Sequence, residues 1–192
     1  MVPVALYGCA TWDITTTQIK LLESCQYQFL RRLLRPYVPQ PNRPEQVSYI
    51  TLLDKATSTR LAKIYSIETV LYATTLRYLG HIERSRSNSL VRRTLHGHIA
   101  ISDTGKAWKL QNYQKAASRA LHAFQIPAFF GTVDEPDRWV QACQDSSREG
   151  KRSWAQAIKK GAMLHDVAWR LRRAHSTTYA LATQPVALHG QH

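Results

Sequence analysis

The chain has 192 residues, 44% of them hydrophobic, which is enough to build a packed core and excludes wholesale disorder. Twenty-six Lys and Arg against 13 Asp and Glu give a formal charge of +13 and a pI near 10.0. That surplus favours a polyanionic partner, nucleic acid ahead of a membrane surface; a basic protein with no specific partner is the other reading. Cys9, Cys25 and Cys143 are far apart and form no CxxC pair, so neither a zinc knuckle nor a disulfide framework is expected.

In chain order, Val2 to Trp12 is a short apolar run that reads as a strand or as the end of a helix whose beginning is missing. Hydrophobic Val4, Leu6 and Trp12 would then lack upstream partners, as in a truncated chain. Thr15 and Gln18 have capping-box spacing, so a helix should run from there to about Arg35, where Pro36 stops it. Its predicted inner face is Ile19, Leu22, Cys25, Phe29, Leu30 and Leu33, with Lys20, Arg31 and Arg35 opposite. Pro36, Pro39, Pro41 and Pro44 make a stiff connector, and Pro44 with Glu45 suits the first turn of a second helix.

A long helix is predicted from Ser58 to Arg84, with Leu61, Ile64, Ile67, Leu71, Tyr78 and Ile82 along one side. At about 100° per residue, Lys63, Arg77, His81 and Arg84 would cluster on another side. A short helix over Asn88–His96 closes on Gly97, and residues 98–106 read as a loop. Trp108 to Phe124 is a further helix built on Tyr113, Ala117, Leu121 and Phe124, broken at Pro127. Asp134, Glu135 and Pro136 should start a helix through Trp139, Val140 and Cys143 that Gly150 ends. The last helix, Ser153 to Ala174, has Trp154, Ile158, Leu164, Val167, Ala168 and Leu171 as its core candidates, and the tail after it lacks periodicity. The fold expected is mainly α, an irregular bundle of six to seven helices with a short extended N-terminal segment. Trp12, Leu22, Phe29 and Leu71 are expected to be buried.

No apolar stretch approaches the roughly 20 residues that span a bilayer, and the N-terminus has no secretory signal pattern, so a soluble intracellular protein, nuclear or cytoplasmic, is expected. The sequence has no GxxxxGK[ST] phosphate loop, no GxSxG elbow, no HExxH and no adjacent pair of aspartates. His96–Gly97–His98 reads as a helix end rather than a metal site. No catalytic residue, metal or cofactor is expected from this inventory.

Two stretches carry a resemblance. "ALYGCATWDITTTQIKLLESCQYQFLRRLL" and, about forty residues on, "LRYLGHIERSRSNSLVRRTLHG" resemble, in order and spacing, segments that follow the palm of non-LTR (LINE-type) retrotransposon reverse transcriptases. "DSSREGKRSWAQAIKKGAML" is similar, more loosely, to a later segment of the same enzymes. Ala10 and Tyr78 depart from that pattern, which usually has an acidic residue and a tryptophan there. The resemblance implies a thumb-like helical region over 1–127, a helical extension over 128–175 and a flexible tail over 176–192. It also implies a fragment lacking the catalytic Tyr-x-Asp-Asp palm. Such a fragment would be a nucleic-acid-binding module without polymerase activity, with RNA or an RNA–DNA duplex, and the remaining parts of a reverse transcriptase, as partners. Lys63, Arg77, Gly80, His81 and Arg84 would bind phosphates. Gly80, costly inside a helix, would let either a nucleic-acid backbone or another helix approach closely. A protein-interaction or structural module, and a decayed fragment without function, are the alternatives.

Overall fold

The computed structural model describes residues 8–9, 14–35, 48–59, 63–85, 113–130 and 138–182. Among them are seven helices and no strand, which makes this a mainly α bundle: α1 (Thr16–Leu33), α2 (Tyr49–Ser58), α3 (Ile67–Glu83), α4 (Tyr113–Ala123), α5 (Pro127–Phe130), α6 (Arg138–Gln144) and α7 (Arg148–Ala182). Trp12, most of the Val2–Trp12 run, the proline connector, the Asn88–His96 helix and the 98–106 loop lie outside the described residues.

Helix α1 begins as the sequence predicts. Thr15 caps it, the Gln18 amide donating to Thr15 Oγ1 while the Thr15 amide donates to Gln18 Oε1 at 2.9 Å. Its inner face is rotated from the expected one, however. Glu23, Gln26, Leu30 and Leu34 are buried, whereas Cys25 and Leu33 are exposed and Leu22 and Phe29 only half-buried. The cause is pairing that apolar periodicity does not reveal. Arg173 of α7 meets Glu23 at 2.9 Å, and Tyr49 of α2 donates to Gln26, whose amide reaches the Tyr65 carbonyl at 3.3 Å. These partners make a buried acid and amide tolerable. Burial still dominates at Glu23, whose pKa is raised despite the attraction of Arg173.

Helix α2 is capped by Ser48, whose hydroxyl accepts from the Thr51 amide at 3.1 Å, so it starts beyond Pro44. The long helix expected from Ser58 to Arg84 is confined to Ile67–Glu83. Helix α2 ends at Ser58, residues 63–66 are non-helical, and α3 starts after Ser66, whose backbone is extended (φ −58°, ψ 152°). The Ser66 amide donates to Asp166 Oδ1 at 3.0 Å, and the Ser66 hydroxyl accepts from the Thr69 amide, which makes Ser66 an N-cap instead of a helix-interior residue.

The C-terminal half differs from expectation at two helix ends. Helix α6 stops at Gln144, and Gly150 lies in the first turn of α7 rather than closing α6. Helix α7 continues past Ala174 to Ala182. Between α4 and α5, Gln125 adopts a left-handed φ of 53° while the Ile126 amide donates to the Leu121 carbonyl at 3.0 Å, and Pro127 opens α5.

Helix α3 is central, touching α1, α4, α6 and α7. The main core joins Leu76 and Leu79 of α3, Ala120 and Phe124 around α4, Cys143 of α6, and Trp154, Ile158 and Ala162 of α7. It therefore crosses the 127/128 boundary. A second core seats Trp169 of α7 on Leu30, Leu34, Tyr49, Leu52 and Leu53, and a third gathers Cys9, Ile67 and Leu71. Helix α7 approaches the turn after α4 closely because residue 161 is glycine: a Cβ there would lie 2.7 Å from Phe124 Cβ.

Candidate nucleic-acid interface

The predicted phosphate-binding residues divide into two groups. Helix α3 turns Leu76, Leu79, Gly80 and Ile82 inward, so Arg77 and His81, one turn apart, are left exposed. The His81 ring stacks on Tyr78 with centroids 6.5 Å apart and an interplanar angle of 22°. Lys63 is not on this helix. It lies in the non-helical segment before α3, exposed, with its Nζ 5.1 Å above the Tyr65 ring. The Tyr65 phenol is pushed up by burial and then by Asp166, while the Arg77 charge pulls it down. Two exposed cationic–aromatic pairs result, Lys63 over Tyr65 in the segment before α3 and His81 on Tyr78 within α3, with Arg77 exposed one turn before His81.

Gly80 and Arg84 are instead engaged within the bundle. A Cβ on Gly80 would lie 2.7 Å from Trp154 Cδ1 and 2.9 Å from Arg84 Nη1. The space left by the glycine is therefore filled by the Trp154 indole, whose Nε1 donates to the Leu76 carbonyl at 3.1 Å. Of the two approaches that Gly80 could allow, the helix–helix one is realised. Arg84, half-buried at the C-cap of α3, donates from Nη1 to the Cys143 carbonyl at 3.0 Å. That carbonyl lies in the last turn of α6, where it has no partner within the helix and where a cation is favourable. Both residues fasten α3 to α6 and α7. The sequence marks Trp154 as core but holds no signal that its partner is Gly80. The nearby Cys143 thiol is pushed up to about 12, mainly by burial, so it stays protonated and inert at neutral pH.

A buried polar chain behind this face was not apparent in the sequence. Ser66 Oγ and Thr69 Oγ1 lie 2.8 Å apart, and Thr69 Oγ1 is 2.8 Å from His165 Nδ1. Hydroxyl and imidazole in this order resemble a nucleophile and its base, but Ser66 and Thr69 are both 0% exposed, so no substrate reaches them. The group acts as a clamp. Asp166 takes the Ser66 amide and, through Oδ2, Arg170 Nε at 2.8 Å; Arg170 in turn donates to the Ile64 carbonyl at 3.2 Å and pairs with Asp54. These bonds fix the segment carrying Lys63 and Tyr65 against α7.

His165 gives this clamp a pH dependence. Burial between Tyr72 and Phe124 holds its pKa below the ordinary value; Arg172 pushes the same way, and Glu68 and Asp166 oppose. The folded imidazole thus refuses a proton that the unfolded one accepts near pH 6.5. Its contribution is present above that pH and is lost as pH falls through the folded value. In urea titrations from pH 7.5 to 5, the stability advantage of the parent over His165→Gln is expected to shrink. A pH-independent difference would contradict this.

Among the described residues, no three His, Cys, Asp or Glu side chains come together where they could share a metal ion. No described helix is long and apolar enough to cross a membrane. No protein-family model, curated protein or solved structure matches the chain.

Proposed function

We propose that the chain is a thumb-like helical module of the non-LTR reverse-transcriptase kind, which grips a nucleic-acid duplex by its phosphates and performs no polymerase chemistry of its own. The observation that supports this best is the exposed set Lys63, Arg77 and His81, with Tyr65 under Lys63 and Tyr78 against His81, carried on elements locked from behind by Trp154, Arg84 and Asp166. Cations held on a rigid support lose little freedom on binding, so more of their attraction for phosphate appears as affinity. Phosphate contacts position a duplex without reading sequence, which suits a grip rather than a specificity element. In the resembled enzymes, the chemistry belongs to the palm and its paired carboxylates, which hold the metal ions of phosphoryl transfer.

Fluorescence anisotropy with a short labelled RNA–DNA hybrid tests the reading. Binding should be independent of base sequence and should weaken steeply with salt, because each neutralised phosphate releases counterions. Primer extension by the pure chain on a primed RNA template with magnesium should give no incorporation. Salt-insensitive binding, or incorporation abolished by changing one of the chain's own acidic residues, would overturn the proposal.

A further inference from the structure

Helix α7 has a second surface that nucleic-acid binding leaves unused. Four large aliphatic side chains stand out from it: Met163 (44% exposed), Leu164 (51%), Val167 (53%) and Leu171 (57%). Leu164, Val167 and Leu171 are the residues whose periodicity predicts burial, yet the core takes Trp154, Ile158, His165 and Trp169 from the other side of the helix. With about 100° of rotation per residue, these four fall into one stripe opposite that core face. Helix α7 is thus apolar on two sides, of which the described residues use one.

The charges around the stripe indicate what fits it. Lys159 and Lys160 are exposed at its N-terminal end, and Lys160 is held there with its Nζ 4.9 Å from the centroid of the Phe129 ring. Arg172 is exposed near its other end. Between residues 152 and 174, Asp166 is the one acid, and it is buried on Ser66 and Arg170. A contiguous apolar row is the mark of a protein contact rather than of a nucleic-acid contact, since a phosphate backbone offers aliphatic side chains nothing to bury against. A second copy of this helix would bring the same excess of cations to the interface, which opposes pairing.

We infer that the outer face of α7 docks an acidic amphipathic helix of a partner protein. The partner places aliphatic residues at i, i+4 and i+7 on Leu164, Val167 and Leu171, and Asp or Glu toward Lys159 and Lys160. This site shares no residue with Lys63, Arg77 and His81, so each can be substituted independently.

The probe is a fluorescein-labelled synthetic helix of about 20 residues, with leucines at that spacing and glutamates elsewhere, titrated into the full chain. Saturable binding is expected, falling at least about tenfold in Leu164→Asp/Val167→Asp, with an unchanged melting temperature and unchanged binding of the RNA–DNA hybrid. Lys159→Glu/Lys160→Glu should weaken peptide binding and flatten its salt dependence. Leu171→Ser is the milder variant should the double aspartate change disturb folding, and it too should weaken binding. Four results would overturn the inference: no binding of the acidic peptide; equal binding of a version with every glutamate changed to lysine; a stripe-dependent dimer in sedimentation velocity; or unfolding of Leu171→Ser, which would mean that the chain covers the stripe itself.

Discussion

Trp154→Ala is expected to cost about 3–5 kcal/mol, a large share of an ordinary domain's stability. The indole is 2% exposed, stacks near Phe130 at 6.2 Å and fills the gap beside Gly80. Removing it leaves a cavity one wall of which is a glycine, with no side chain to relax into the space. The pairing also predicts a coupling. In the parent, Gly80→Ala pushes a methyl against a rigid ring and should destabilise by about 1–3 kcal/mol, as overpacking does. Once Trp154 is alanine, the same substitution meets only the end of the Arg84 side chain, which can shift, so its cost should fall and the helix-propensity gain of about 1 kcal/mol should offset it or reverse its sign. Urea denaturation of the four proteins in this cycle measures the coupling. Additive effects would mean that Gly80 serves some other purpose.

Asp166→Ala is expected to cost about 3 kcal/mol or more, because removing one partner of a buried pair strands the other. Asp166 is 1% exposed, and its loss leaves the buried Ser66 amide without its acceptor and weakens the hold on Arg170. Asp54, the other carboxylate on Arg170, has a side chain 65% exposed and therefore screened. Asp54→Ala should cost no more than about 1 kcal/mol. Thermal or urea midpoints for the two variants separate the buried contact from the surface one. Equal losses would contradict the assignment of Asp166 as the anchor of the α3 cap.

The parts of this fold that the sequence makes legible are those set by local chemistry. The Thr15–Gln18 capping box and the helical character of the described residues follow from neighbours in the chain, whereas the break expected at Pro127 falls at residues 124–126 and Pro127 opens α5. Distant partners decide what was misread. Glu23 and Gln26 look like surface residues until Arg173 and Tyr49 arrive from other helices, and that pairing turns α1 away from Cys25 and Leu33. Ser66 looks like the interior of a long helix until Asp166 takes its amide across 100 residues of chain. That one bond also removes Lys63 from the stripe that periodicity drew through Arg77, His81 and Arg84. Arg84 is misread for the same reason, since nothing local shows that a carbonyl of α6 ends beside it. On α7 the error has a different source: two apolar faces share one helix, and periodicity alone cannot say which one packs inward.

The most direct measurement of the central claim compares two variants that remove equal charge. Lys63→Ala/Arg77→Ala changes the proposed face, and Lys20→Ala/Arg31→Ala changes exposed cations of α1. Anisotropy titrations with a short RNA–DNA hybrid over a salt series give an affinity and a slope for each. Phosphate contacts at Lys63 and Arg77 predict a slope shallower by about two units in the first variant and almost unchanged in the second, with no change in base preference for either. Equal losses in the two variants, or no loss in either, would contradict a nucleic-acid grip at this face.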